Sequence, residues 1–267
     1  MKIVCLKGGL GNQLFEYCCY RQLSKQSNEP TWLYYDRRKL KQHGRLLLSE
    51  CFDVELPRPS LRVALTTLAL KGMEWCRLFP KRFDTSHPRC MLYDDYCQHR
   101  RYLSEARQWL RFRSLPLTDE ALALQRQIQE APYSVSVHVR RGDYLLPANA
   151  RNFGTCTENY YQTAIRHLQN LHPEATFFFF SDDIAWTEAH LSVEGRSVYV
   201  QPGSGPDYID LYLMTQCRAH IIANSTFSFW GAFLSRDAKA PVIYPKQWFK
   251  NPDWTVPDIF PNHWHSM

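Results

Sequence analysis

No stretch of this chain approaches the ~18 consecutive apolar residues that a membrane-spanning helix needs, and the apolar run after Met1 is too short for a signal peptide. A soluble protein is therefore expected. No Cys-x-x-Cys pair occurs, and the nine cysteines are scattered and odd in number. That argues against a disulfide framework or a zinc site, and points to a reducing cytoplasm. The pair Gly9-x-Gly11 lacks the third glycine of a dinucleotide-binding turn, and the Gly-Lys-Ser/Thr ending of a P-loop is missing. No Gly-x-Ser-x-Gly elbow surrounds Ser225 or Thr226, which disfavours a hydrolase nucleophile. Asp-x-Asp is also absent, which weakens a divalent-metal site. No RNA-binding or helix-turn-helix signature accompanies the net charge of +6, so nucleic acid is not the expected partner. The basic residues come in clumps such as Arg37 to Lys41 and Arg100 to Arg113. They favour anionic ligands, and they leave peripheral contact with an anionic membrane open.

What is present is an alternation of strands and helices. Lys2 to Leu6 reads as a strand, Gly8, Gly9 and Gly11 break it, and Asn12 is a plausible N-cap for a helix to about Ser24. Trp32 to Tyr35 is a second strand. Asp36 to Leu56 is irregular and basic, Leu61 to Leu78 reads as a helix, and Gln98 to Phe112 as another. After Pro132 the alternation becomes regular. Strands are expected at 135–139, 176–180, 197–200, 220–223 and, finally, 242–244, with helices at 158–171, 208–217 and 227–235. Continuous apolar runs such as Phe177 to Phe180 mark strands buried on both sheet faces, hence a parallel, doubly wound α/β fold. At 267 residues two halves are expected, with a boundary near 115–133, here taken as 1–130 and 131–267. The tail from Pro245, rich in Trp and Pro, reads as a surface wrap, with His263 and His265 decorating it.

Ligands in such sheets bind beyond the strand C-termini, where His138, Arg140, Arg141, Ser181, Asp182 and Asn224 all fall. In VSVHVRRGDY, Val135 to Tyr144, the strand supplies rigidity. Its two guanidinium forks suit phosphate oxygens, although an Arg pair at a strand end is also compatible with a solvated loop. His138 is either a packed strand-end histidine or a site residue. KGGLGN sets a glycine turn containing Gly9 and Gly11 at a helix N-terminus, which serves either an anion or simply a tight turn. Asp182 and Asp183 could meet a metal or a ribose, or Asp183 could start the next helix. Asn224, Ser225, Thr226 and Ser228 exceed what one helix cap needs, and a phosphate or a sugar hydroxyl is a second partner for them.

Six motifs in order resemble glycosyltransferase family 11, the α-1,2-fucosyltransferases of bacterial type. They are KGGLGNQLFEYC at 7–18, YDDYCQHRRYL at 93–103, VSVHVRRGDY at 135–144, FFFFSDD at 177–183, DLYLMTQCRAHIIANSTFSFWGAFL at 210–234 and VIYPKQWF at 242–249. Glu16 departs from the usual glutamine, and Cys18 stands where alanine is common. The resemblance implies a GT-B-like fold of two Rossmann-like halves, with GDP-fucose held mainly by the C-terminal half. It also implies a glycan acceptor and no metal or other cofactor. On this reading Arg140 clamps the diphosphate, Arg141 faces the ligand or locks the loop, and Asn12 reaches the donor from the other half. Ser225 and Thr226 bind phosphate, Asp182 or Asp210 contacts guanosine, and Glu16 adds a charge beside the acceptor.

An α-linkage made from GDP-β-L-fucose requires inversion, for which one general base suffices. Asp143 leads as base, followed by His138 and Glu16, with the alternative that Asp143 orients an arginine. A nucleotide-linked oxidoreductase and a non-catalytic carbohydrate-binding module are the competing classes, and both leave the ordered motifs unexplained. The expected acceptor position is O2 of a terminal β-galactoside.

Overall fold

A computed structural model of the chain describes residues 1–36, 46–82, 84–87, 89–201 and 206–267, so the basic clump Arg37 to Lys41 lies outside the described residues. There are two compact units, Met1–Ser114 with Pro257–Ile259, and Leu115–Val256 with Phe260–Met267. The division falls at the start of the expected 115–133 segment rather than at 130. The helix Asp119–Glu130 (α3) belongs to the second unit because it buries Ala121 and Ile128, and its Gln125 Nε2 donates to Tyr212 Oη at 2.8 Å.

The first unit is built on β1 (Lys2–Cys5), α1 (Leu10–Gln26), β2 (Thr31–Tyr34), α2 (Leu61–Trp75) and β3 (Leu92–Tyr93), in a parallel sheet of order β2-β1-β3. Leu14, Phe15, Cys18 and Cys19 recur at helical spacing and are all buried, as the sequence pattern requires. Helix α1 starts three residues earlier than expected. Gly9 is its N-cap, without a side-chain cap, and Asn12 lies inside the first turn with its N–H on Gly9 O. Helix α2 stops at Trp75, and Arg77 (φ 54°) follows in the left-handed region. The single helix expected over 98–112 does not form. That segment has a 3₁₀ turn at Arg100–Tyr102 and one α-turn at Ala106–Trp109, and the Arg100 N–H goes to Asp258 O at 2.6 Å. His99 is instead extended (φ −148°) and pairs with Asp258, while Phe112 pairs with Phe52, so both ends of the segment are held by partners far along the chain.

The second unit continues after α3 with β4 (Tyr133–Val139), α4 (Glu158–Leu171), β5 (Ala175–Ser181), α5 (Ile184–His190) and β6 (Ser197–Tyr199). It is completed by α6 (Tyr208–Thr215), β7 (Ala219–Ile221), α7 (Thr226–Phe233), β8 (Val242–Tyr244) and β9 (His265–Ser266). Its six strands are all parallel, in order β6-β5-β4-β7-β8-β9. Val135, Val137 and Val139 join Phe177, Phe179 and Ile221 against Tyr161, Ala164, Ile165 and Leu168 of α4. Phe178 and Phe180 on the other face are equally buried, which is why the run shows no polar alternation.

The tail corrects two expectations. Strand β9 extends the sheet beyond β8, and the tail aromatics enter the core rather than wrapping the surface. Trp248 and Trp264 are buried, Trp264 lies 5.2 Å from Phe229 of α7, and Phe260 stacks on Tyr244 at 4.0 Å. His263 and His265 do lie exposed.

Candidate active site

The ends of β5, β4 and β7 are neighbours, and three sequence motifs meet there. Strand β4 delivers Arg140 immediately past Val139, which is in register with Ser181 at the end of β5. Arg140 is gripped from two sides. Its Nη2 is 2.7 Å from Asp143 Oδ1, its Nη1 is 3.1 Å from Asp182 Oδ2, and the side chain stays 34% exposed. Two carboxylates on one guanidinium fix its plane while leaving a solvent-facing part of the fork for another anion. Arg141 turns elsewhere. Its Nε pairs with Asp183 Oδ2 at 3.0 Å, and its guanidinium lies 3.9 Å from the Trp186 ring centroid, a cation–π contact that secures the loop. Asp183 also caps α5 by accepting from Trp186 N–H at 3.2 Å, so it is a helix-start residue.

Asp182 ties this corner together. Besides Arg140 it accepts the Arg141 backbone N–H at 2.8 Å. It comes so close to the loop that a Cβ built on Gly142 would sit 2.6 Å from Asp182 Oδ2 and 3.0 Å from its Cγ. Gly142 is therefore required by a close approach, a role the sequence reading missed. Tyr144 was also missed. Its ring lies 5.7 Å from the Arg140 guanidinium, and its hydroxyl donates to Asn224 O at 3.1 Å, which fastens the arginine loop to the β7–α7 junction. The signal was an aromatic placed one residue after Asp143 in the strand-end motif.

At that junction the expected roles divide. Asn224 is buried, and its amide Nδ2 lies within reach of the carbonyls of Phe153, Gly154 and Trp248 at 3.0–3.2 Å. Its Oδ1 accepts from Cys156 Sγ at 3.4 Å. It is a structural tie across the junction. Ser225 is the N-cap of α7, yet its side chain makes no capping bond. Thr226 opens the helix half-buried, and Ser228 Oγ accepts the Ala223 N–H at 2.9 Å. The first N–H groups of a helix have no intrahelical acceptor, so this uncapped turn offers donors to an anion.

His138 is only 6% exposed, with its ring 5.5 Å from Phe227 and its Nδ1 enclosed without a partner. Burial, helped by the Arg140 charge and opposed by Asp182, pushes its pKa down to about 4. It is thus a neutral residue packed beneath Arg140. Asp210, in the first turn of α6, has its pKa raised to about 6 by burial and then by the Asp207 carboxylate. A carboxyl kept partly protonated in this way marks a site candidate. A cavity of about 560 Å³ lies beside the β7 end, lined in part by Thr155, Thr157, Lys246 and Lys250. Of the expected residues it takes in only Asn224.

The glycine turn of the first unit is built from its own neighbours. Gly8, rather than Gly9 or Gly11, carries the left-handed conformation (φ 70°), and a Cβ there would meet Asn12 Nδ2 at 2.9 Å. Gly11 is buried inside α1. Asn12 Oδ1 accepts from Gln98 Nε2 at 3.1 Å. Glu16 is fully buried, its Oε2 accepts the Lys7 N–H at 2.8 Å, and burial lifts its carboxyl well above the usual range. It therefore adds no exposed charge, and the expectation of an acceptor-side charge at Glu16 is corrected. A protonated carboxyl has the shape and the donor–acceptor pattern of the glutamine usual there in the resembled family. Lys7 Nζ and Lys71 Nζ share Asp94, at 3.2 and 2.6 Å.

Comparison with known proteins bears on family and fold. The sequence profile of glycosyl transferase family 11 matches residues 119–267. An alpha-1,2-colitosyltransferase of Escherichia coli is 32% identical over 281 residues, covering 97% of this chain and 96% of that one. The Bos taurus galactoside 2-alpha-L-fucosyltransferase SEC1 is 29% identical over 256 residues, covering 86% of this chain and 63% of that one. Among solved structures the fucosyltransferase NodZ from Bradyrhizobium superposes with a TM-score of 0.56 at 14% identity, over 86% of this chain and 90% of that one, a likeness of fold. The fold is of the GT-B type, and the chain belongs to glycosyltransferase family 11.

Proposed function

We propose that this glycosyltransferase moves L-fucose from GDP-β-L-fucose to O2 of a terminal β-galactoside, with inversion, and needs no metal. The observation that carries the reading is Arg140, held between Asp143 and Asp182 beside the uncapped start of α7. As the C1–O bond breaks, negative charge accumulates on the departing diphosphate. A preorganised guanidinium there lowers the barrier by ~3 kcal/mol. Ser225, Thr226 and the first N–H groups of α7 take the remaining phosphate oxygens.

Asp143 orients Arg140 through Oδ1, by the 2.7 Å ion pair, and its second carboxylate oxygen, on a side chain 47% exposed, is the base proposed to take the proton of the attacking hydroxyl. Asp182 also orients Arg140, from the end of β5, which leaves Asp210 for the guanine. A carboxylate accepts well from the two adjacent N–H groups on that base's edge, and binding would draw its raised pKa back down. The nine free thiols fit a reducing compartment, and we place the reaction in the cytoplasm.

A second reading has support of its own. Colitose is fucose without the 3-hydroxyl, and the relative named for its transfer matches nearly the full chain. The test is GDP release in EDTA with GDP-fucose and GDP-colitose, each against a panel of β-galactosides. Turnover with GDP-fucose and a fucosylated product bears out the first reading. Turnover confined to GDP-colitose bears out the second, and turnover confined to UDP-sugars refutes both.

A further inference from the structure

Helix α2 buries Val63, Thr67 and Leu70 against the first unit, with Leu70 packed beside Ile3, Cys5 and Leu92. Its opposite face is also apolar and lies bare. Leu61 is 76% exposed, Leu65 58%, Leu68 59% and Trp75 86%. At 3.6 residues per turn these four, with Gly72, fall within an arc of ~80°. Just past the helix, Leu78 is also 50% exposed. A strip of this extent on a water-soluble surface marks a contact surface.

The charges around the strip identify its partner. Arg58 precedes the helix, Arg62 lies on one flank of the strip, and Arg77 and Lys81 follow it, all four exposed. The one acid of the helix, Glu74, points away, ~100° from Trp75 and toward the core side. Stacking this face on a second copy would bring these cations together, whereas an anionic lipid surface pairs with them. At 15 residues the helix is too short to span a bilayer, and among the described residues no helix is long and apolar enough to do so. An apolar strip, flanking arginines and a protruding tryptophan are the features of a helix lying in the membrane plane.

We propose that α2 is a membrane-docking helix, which seats Leu61, Leu65, Leu68 and Trp75 at the headgroup–acyl boundary of an anionic bilayer. Lys71 of the same helix is bonded to Asp94, which also holds Lys7 before the glycine turn, so docking would fix the first unit relative to a lipid-borne glycan. The proposal does not depend on which sugar is transferred, because its readout is binding.

The test is co-sedimentation of the whole chain with vesicles of phosphatidylglycerol and phosphatidylethanolamine, set against pure phosphatidylcholine. The wild type is expected to pellet with the anionic vesicles and to be released by high salt. Leu65→Glu/Leu68→Glu is expected to lose at least tenfold in binding with an unchanged melting temperature, as its sites are solvent-exposed. Brominated lipid is expected to quench wild-type tryptophan fluorescence, and to quench Trp75→Phe less although that variant still pellets. Absence of pelleting by the wild type, or equal pelleting by the double variant, overturns the proposal. A wild-type dimer that the double variant dissociates, without vesicle binding, assigns the strip to a second copy and overturns it too.

Discussion

Replacing Gly142 by alanine adds one carbon and two hydrogens, yet it should impair a residue 40 positions away. The new Cβ would stand 2.6 Å from Asp182 Oδ2, well inside van der Waals contact. Asp182 cannot simply swing aside, because Oδ1 holds the Arg141 N–H at 2.8 Å while Oδ2 holds Arg140 Nη1 at 3.1 Å. Movement must loosen at least one of these. A hydrogen bond to a charged group contributes ~1.5–3 kcal/mol, and partial exposure of this pair reduces that to ~1–2 kcal/mol. If Arg140 acts mainly in the transition state, the loss appears as about a 5- to 30-fold fall in kcat/KM for the donor. The assay is steady-state GDP release for wild type, Gly142→Ala, Asp182→Ala and the double variant. Since the alanine acts only through Asp182, it should be almost silent in the Asp182→Ala background. Additive effects would refute the argument, and so would a Gly142→Ala enzyme with wild-type kcat/KM.

Other expectations follow from the same geometry. Glu16→Gln keeps the shape and the bond to Lys7 N–H but removes a titration. A buried acid with a raised pKa costs stability as pH rises past its unfolded value, so the variant should match wild type near pH 4 and melt higher at pH 8. Asp210→Asn should likewise gain stability relative to wild type as pH rises from about 4 to about 6, the interval between its ordinary and raised pKa, while GDP affinity falls in a calorimetric titration. Arg141→Met removes the Asp183 pair and the Trp186 contact, at ~1 kcal/mol or 2–4 °C in melting temperature. Its kcat/KM should change far less than that of Arg140→Met.

The C-terminal sheet was legible because its residues decide locally what they become. Val135 to Val139 alternates into a valine-lined face, the phenylalanine run declares burial on both sides, and the helix 158–171 has the same bounds in the sequence reading and the structure. The first unit was harder to read. Residues 98–112 carry helical periodicity, but His99 is held extended against Asp258 and Phe112 against Phe52, and no local pattern encodes those distant pairings. Strand β9 is two residues long and owes its existence to pairing with β8. The same division applies to the site. Arg140 could be picked out from its place at a strand end, whereas the packing of His138 beneath it, the burial of Glu16 and the bonds that tie Asn224 had to be seen in three dimensions. The exposed face of α2 was hidden for the opposite reason, since leucines on both sides of a helix read as core.

The central claim is that Arg140, in place of a metal, stabilises the diphosphate leaving group. It is tested most directly by GDP release from GDP-fucose with a β-galactoside in excess EDTA, comparing wild type with Arg140→Lys. The account predicts full wild-type turnover under chelation, and a fall in kcat of about 10²–10³ for the lysine variant, whose point charge cannot reproduce the fork. Loss of wild-type turnover in EDTA that Mn²⁺ restores, or an Arg140→Lys enzyme as fast as wild type, would contradict it.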